Sequence, residues 1–259
     1  MTDPETPSDG TASLSVVERS FKILEHLVET ESTGVTELAE EMGIPKTTAH
    51  SYLKTFENVG YAINEDGEYR LSLRILLHAG RLQHSFALYK IGRPQVERLA
   101  RETGEAVNLG VPEAGQRVII YGAEGENAVW DDVPLGSRTP LNLTAIGKAI
   151  LSGWSASRLE AFLTEHPLGS TTEHSLDTET ALIDDIEATR NRGYSIESEE
   201  HILGVRAFGM PITTSDGTVI GAISITGPNS RLRQEETETE LMNQLRQTAN
   251  IITLRYQQY

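Results

Sequence analysis

Thr36-Glu37-Leu38-Ala39-Glu40-Glu41-Met42-Gly43-Ile44-Pro45-Lys46-Thr47-Thr48-Ala49-His50-Ser51-Tyr52-Leu53-Lys54, residues 36–54, reads as two short helices joined by a tight turn. Thr36 can cap the first, Glu37 to Met42, which would bury Leu38, Ala39 and Met42. Gly43-Ile44 supplies the turn. Pro45 suits the opening position of the second helix, because its missing N–H would have no partner there. Ala49, Leu53 and Phe56 give that helix an apolar stripe, which leaves Lys46, Thr47, Thr48, His50, Ser51 and Lys54 facing outward. Short polar and basic side chains near the start of the second helix are what a helix-turn-helix presents to a major groove. Thr and His can reach base edges, and Lys can neutralise phosphate.

Upstream, Ser15 and Glu18 make a capping box for a helix whose Val17, Phe21, Leu24 and Val28 recur along one face, and Thr33-Gly34-Val35 ends it. Downstream, 61–63 and 68–71 flank Asn64-Glu65-Asp66-Gly67, a hairpin signal that forms a wing carrying Arg70. Residues 13–72 are thus expected to be a winged helix-turn-helix domain. Residues 1–12, acidic and rich in Pro, Ser and Thr, are expected to be a loose tail.

From Leu73 to Leu82 the pattern is helical but more apolar than one buried stripe requires, which points to a linker helix over 73–90 whose surplus suggests a partner. Pro94 to Thr103 reads as a further helix ending at Gly104. Beyond it the period changes. Val107, Leu109 and Val111, then Val118 and Ile120, alternate as strands around Glu113-Ala114-Gly115-Gln116. Helices follow near 145–152, 156–165 and 179–192, strands at 194–197, 208–212 and 219–225, and a long closing helix from Glu235. The fold class is therefore α+β with two domains, residues 91–259 forming a mixed domain of sensor type.

The formal charge of −16 argues against nucleic acid as a partner. Between Leu14 and Leu73 five basic residues (Arg19, Lys22, Lys46, Lys54, Arg70) stand against eleven acidic ones, yet Lys46 and Lys54 both fall on the recognition helix. Only five of the 22 basic residues in the chain are lysine, and acids are spread throughout, a balance suited to a salt-loving host where long-range repulsion is screened. No cysteine is present, no His-x-x-x-His pair occurs, and each of the seven histidines reads by default as a surface residue. No apolar run is long enough to span a bilayer, so a cytoplasmic protein without membrane contact is expected.

An enzyme would need a nucleophile with its base, a metal cluster or paired carboxylates. None is legible; catalytic residues, metals and cofactors are expected to be absent. Glu199-Glu200-His201 is the densest polar cluster, but on an extended strand neighbouring residues point to opposite faces. Leu143-Thr144-Ala145-Ile146-Gly147-Lys148 lacks the residues of a phosphate loop, and reads instead as a Thr-capped helix whose free N–H groups suit a carboxylate.

Ser20-Phe21-Lys22-Ile23-Leu24, Thr36-Glu37-Leu38-Ala39, Gly43 to His50, Gly60-Tyr61 and Tyr69-Arg70-Leu71 resemble the DNA-binding domain of IclR-family transcription regulators. Relatives often carry Arg where Ser51 stands. Leu143 to Ile150, Arg190 to Tyr194, Glu199 to Arg206 and Ala222 to Pro228 resemble the family's effector domain, so the resemblance runs through nearly the whole chain. It implies a homodimer, or a tetramer, that binds double-stranded operator DNA. It also implies a GAF-like pocket in which Ala145, Ile146, Glu197, Val205, Ala207, Ser224 and Thr226 surround a small-molecule effector. Family effectors are often small organic or aromatic acids; two hydroxyls, backbone N–H groups and Glu197 together suit a sugar-derived hydroxy acid. Ala207 stands where relatives carry larger side chains. The competing reading is a ligand-sensing adaptor that works through protein contacts and holds no specific DNA.

Overall fold

The computed structural model describes residues 14–129 and 133–259. The tail expected over residues 1–12 lies outside the described residues. The chain divides into two compact units that meet in sequence at Leu82 and Gln83.

In the first unit, α1 (Ser15–Glu29), β1 (Thr33–Gly34), α2 (Val35–Glu41), α3 (Lys46–Asn58), β2 (Ala62–Glu65) and β3 (Glu68–Leu71) follow in order. Ile23, Leu27, Leu38, Ala39, Ala49, Leu53, Ala62 and Tyr69 form their shared core. The strands make an antiparallel sheet in the order β1-β3-β2. Asp66 and Gly67, at φ 56° and 97°, form the two-residue loop of the β2–β3 hairpin, a positive-φ pair that suits the strand twist.

Three local expectations are corrected here. Ser15 is the first helical residue rather than the cap, which is Leu14 without a side-chain bond. Thr36 lies inside α2, whose cap is Gly34, because Thr33 and Gly34 pair with Tyr69 and Glu68 as a third strand and bring the helix start forward. On α1 the buried residues are Ile23, His26 and Leu27, whereas Val17, Phe21 and Val28 are exposed. The helix is apolar on two faces, and periodicity alone does not say which one meets the core.

The remaining elements are α4 (Arg74–Ser85), α5 (Ala87–Thr103), β4 (Ala106–Glu113), β5 (Gln116–Ala123), β6 (Arg138–Pro140) and a 3-10 turn over Leu141–Leu143. Then come α6 (Ala145–Ser152), α7 (Ala156–Glu165), α8 (Glu179–Arg192), β7 (Ser195–Ser198), β8 (Val205–Thr213), β9 (Val219–Pro228), α9 (Asn229–Leu232) and α10 (Glu235–Gln257). No α4 residue is buried. Pro94 does not start a helix but sits within α5, where Leu88, Tyr89, Val96 and Leu99 pack into the core and hold the helix together across the missing N–H.

Six antiparallel strands of the second unit run in the order β6-β5-β4-β9-β8-β7. On one face α5 and α10 cover Val107, Leu109, Phe208, Ile223 and Ile225. On the other, Ile146, Ile150, Leu159, Phe162 and Ile186 from α6, α7 and α8 pack with Ile119 and Ala222 of the sheet. Strands covered on both sides lose the in-out alternation of a half-solvated sheet, which is why β4 is buried at six successive positions.

Helix α6 lies tight on the sheet and on the turn before it. A Cβ on Gly147 would stand 2.0 Å from the Leu141 carbonyl oxygen, and one on Gly209 2.4 Å from that of Ala145. Alanine in a helix interior ordinarily gains about 1 kcal/mol over glycine. Gly147→Ala is expected to reverse that sign and destabilise the protein by about 1–3 kcal/mol through overpacking, read as a lower midpoint in urea.

Candidate effector cavity and nucleic-acid interface

Strand register gathers the first site. Glu197, Ala207 and Thr226 stand side by side across β7, β8 and β9, and Ser224 stands opposite Asn108 across β9 and β4. With a period of two, Val205 shares the face of Ala207, and Ser224 that of Thr226. Thr144 caps α6 by accepting from the Gly147 N–H at 3.1 Å, so Ala145 and Ile146 open the helix above this row. All seven positions singled out in the sequence line one cavity of about 100 Å³, together with Asn108, Arg117, Ile119, Val133, Thr144, His201 and Ile202.

The cavity wall at Glu197 is built by a turn that the sequence reading took as extended strand. β7 ends at Ser198, and Glu199 adopts a positive φ of 62°. Glu197 Oε1 accepts the N–H groups of Glu200, at 2.8 Å, and His201, at 3.2 Å, closing the turn. Glu200 is thereby turned to Lys148, a wholly buried lysine whose Nζ donates to both carboxylate oxygens at 2.7 Å. Asp185 Oδ2 lies 3.2 Å from the same Nζ. Thr171, Thr172 and Ser175 strap the turn from outside, their hydroxyls donating to the carbonyls of His201, Glu199 and Glu200.

Nor are the histidines all surface residues. His201 reaches the cavity, and its Nδ1 is buried without a partner. Burial, and then the neighbouring Arg117 charge, push its pKa down. His26 is buried near the Thr33 hydroxyl. Burial pushes the Arg117 guanidinium down to about 10, and pushes the Glu197 carboxyl up to about 7. Asn108, Arg117 and His201 were missed in the sequence because each takes its place through long-range strand pairing or the 198–201 turn. Among the described residues no cluster of His and carboxylates is suited to a metal.

The second site lies on the first unit. Lys46, Thr47, His50, Ser51 and Lys54 are exposed on α3, and Thr48 is half-buried. Ser51 Oγ donates back to the Thr47 carbonyl at 2.8 Å. Lys54 pairs with Glu57, and Arg70 on β3 pairs with Glu65, each at 2.8 Å. Lys46 has no ion pair among the described residues.

A helix-turn-helix with a wing, joined to an α/β domain with a cavity beneath a helix N-terminus, defines the class of ligand-responsive, DNA-binding transcription regulators. The IclR helix-turn-helix model matches residues 16–64, and that of the bacterial transcriptional regulator IclR C-terminal domain matches residues 81–254. The chain belongs to the IclR family of transcriptional regulators, whose members are not enzymes. A probable HTH-type transcriptional regulator ArcR from Halobacterium salinarum is 32% identical, the match covering 98% of each chain. The acetate operon repressor of Salmonella typhimurium is 30% identical, over 97% of this chain and 93% of its own. The crystal structure of the Thermotoga maritima IclR superposes with a TM-score of 0.85 at 25% identity, covering 94% of this chain and 99% of that one. No helix among the described residues is long and apolar enough to cross a membrane.

Glu197 gives this site a pH signature. Its folded value of about 7 exceeds the ordinary 4.5, so the folded state holds the proton more tightly between those limits. The resulting destabilisation is absent below about pH 4.5, grows as pH rises and is complete above about pH 7, roughly 3 kcal/mol at most. Glu197→Gln, which keeps an acceptor for both N–H groups, is expected to raise the melting temperature of the ligand-free protein at about pH 8 and to converge on the parent at about pH 5. An offset equal at both pH values would place its origin elsewhere.

Proposed function

We propose that this regulator binds a two-fold operator as a homodimer and that a small carboxylate in the cavity beneath α6 alters its operator affinity. The observation that carries the effector half is the convergence of Glu197, Ser224, Thr226 and the first turn of α6 on one cavity. Hydroxyls and a carboxyl with a free Oε2 can hold a ligand's hydroxyl or oxo group, while helix N–H groups favour its anionic end. Effector binding acts by linkage. It shifts operator affinity by as much as the ligand's own affinity differs between the two arrangements of the dimer.

The DNA half rests on α3. Lys46 at its start is the basic residue ready to meet phosphate. Thr47, Thr48 and His50 are the candidates for base edges. Ser51, Lys54 and Arg70 are engaged with Thr47, Glu57 and Glu65, and exposed pairs of this kind exchange readily for phosphate. Pairing of protomers is supported by the apolar residues exposed on α1, Val17, Phe21 and Val28, and on and beside α4, Leu73, Leu76 and Leu77. A monomer rarely exposes so many large apolar side chains, and a two-fold DNA reader needs a partner to present a second recognition helix.

Fluorescence anisotropy with DNA from the gene's own upstream region, against an unrelated duplex, tests the reading. Specific binding is expected, and Lys46→Ala should weaken it on every sequence while flattening its salt dependence by about one phosphate contact. Preference for no duplex at any salt concentration would favour the adaptor. Phe21→Asp with Leu77→Asp should yield a folded monomer in sedimentation velocity. Dimers that survive both changes would move the pairing surface off these helices.

A further inference from the structure

Among the described residues, the buried charged side chains of the second unit are paired except for Arg117 and Glu197. Glu105 receives Arg231 at 2.7 and 2.6 Å, and Lys148 donates to both oxygens of Glu200. Arg117, at the start of β5, is 6% exposed and makes no ion pair among the described residues. Its Nη2 donates to the Thr139 hydroxyl at 2.8 Å, and its Nε is buried with no acceptor. Glu197, the acid on the same cavity, accepts two backbone N–H groups at Oε1 and makes no ion pair with Arg117. A buried guanidinium without an anion is strongly unfavourable, and one that lines a cavity suits that cavity to an anionic ligand.

A second, independent feature converges on that place. Gly110, at the irregularity in β4, carries no side chain, and a Cβ there would stand 3.0 Å from Ile146 Cγ2 and 3.4 Å from Arg117 Cγ. Both residues therefore close over the same bare glycine, which sets the Arg117 stem beside the opening turn of α6. Arg117 and the opening residues of α6 thus line the same cavity, to which the helix adds the positive end of its dipole. His201 lines the same cavity, and burial together with the Arg117 charge pushes its pKa down, which disfavours a competing positive charge there.

We propose that Arg117 is the residue that selects an anionic effector, holding the carboxylate of a short monoacid between its guanidinium and the first turn of α6. The acid's hydroxyl or oxo group is then directed toward Glu197, Ser224 and Thr226. This rests on the effector reading above and narrows it. Arg117 and Thr139 are outside the seven positions that the sequence pointed to. A cavity of about 100 Å³ suits a short acid of about three or four carbons.

The test uses the full chain with lactate and glycerate as probes and lactamide as their uncharged counterpart, followed by isothermal titration at constant ionic strength. The parent is expected to bind at least one acid and to prefer lactate over lactamide if lactate is the one bound, and glycerate over glyceramide otherwise. Arg117→Met, which keeps the stem, should lose at least tenfold in affinity for the acid and bring acid and amide together, and Arg117→Lys should recover part of the preference. Unchanged acid affinity in Arg117→Met would overturn the role of Arg117 while leaving the cavity as an effector site. A parent that binds neither acids nor amides would overturn the effector reading itself. Ligand-free Arg117→Met is expected to melt at or above the parent temperature; a clearly lower one would mean that the guanidinium is already satisfied without an anion, and would count against the proposal.

Discussion

The cavity depends on one buried ion pair, Lys148 with Glu200. Lysine is among the residues least often found fully inside a protein, because removing an ammonium from water costs far more than its hydrocarbon stem gains. Here Nζ is held by both Glu200 oxygens, with Asp185 close by. The pair need not add much net stability. It does fix geometry: α6 can dock only where Glu200 waits, and Glu200 waits there only if the chain turns sharply after Ser198. That turn is what brings Glu197 and His201 to the cavity and ends β7 early. Removal of either charge would leave the other uncompensated in the core, so the wall and the helix above it stand or fall together.

Around this anchor the cavity keeps three titratable groups in different states. Burial alone depresses Arg117, burial with the Glu200 charge raises Glu197, and burial with the Arg117 charge pushes His201 down. A fold selected for stability alone would fill such a space with aliphatic side chains, as it does on the opposite face of the sheet, where Val107, Leu109 and Ile225 meet α5 and α10. Polar groups retained at this cost, and left only partly bonded, are the mark of a binding site rather than of a packed interior.

Legibility in the sequence followed the range of the interactions. Helices α3, α6, α8 and α10 were readable because their signals are local: a proline or a threonine at the start, Gly193 at the end of α8, and a stripe such as Leu241, Leu245, Ala249 and Ile252 along α10. The seven cavity positions were reached through likeness to a family, and period-two alternation explains why they share a face. Arg117 was not legible. It follows a hairpin loop, next to Gln116, in a context that marks it as an ordinary exposed residue, and only the pairing of β5 with β6 and the overlying α6 bury it. The exposed face of α1 was misjudged for a related reason. Val17, Phe21 and Val28 have the spacing of core residues, and spacing does not distinguish a core from a surface awaiting a partner.

The acid excess of the DNA-binding unit bears on how its recognition must work. Eleven carboxylates against five basic residues between Leu14 and Leu73 oppose the approach of a polyanion over any distance at which charge is unscreened. At about 1 M salt the screening length is near 3 Å, so only groups in contact with phosphate still matter. On the proposed reading, those groups on α3 would be Lys46 and Lys54, with Glu57 beside the latter. The net charge of the unit then governs encounter, and the local surface of one helix governs affinity. Such a reader draws little from counterion release, so its discrimination must come mainly from hydrogen bonds and close packing at base edges. On the proposed reading, Thr47, Thr48 and His50 would provide that closeness, and Ser51, its hydroxyl already bonded to the Thr47 carbonyl, would extend the same surface without adding charge.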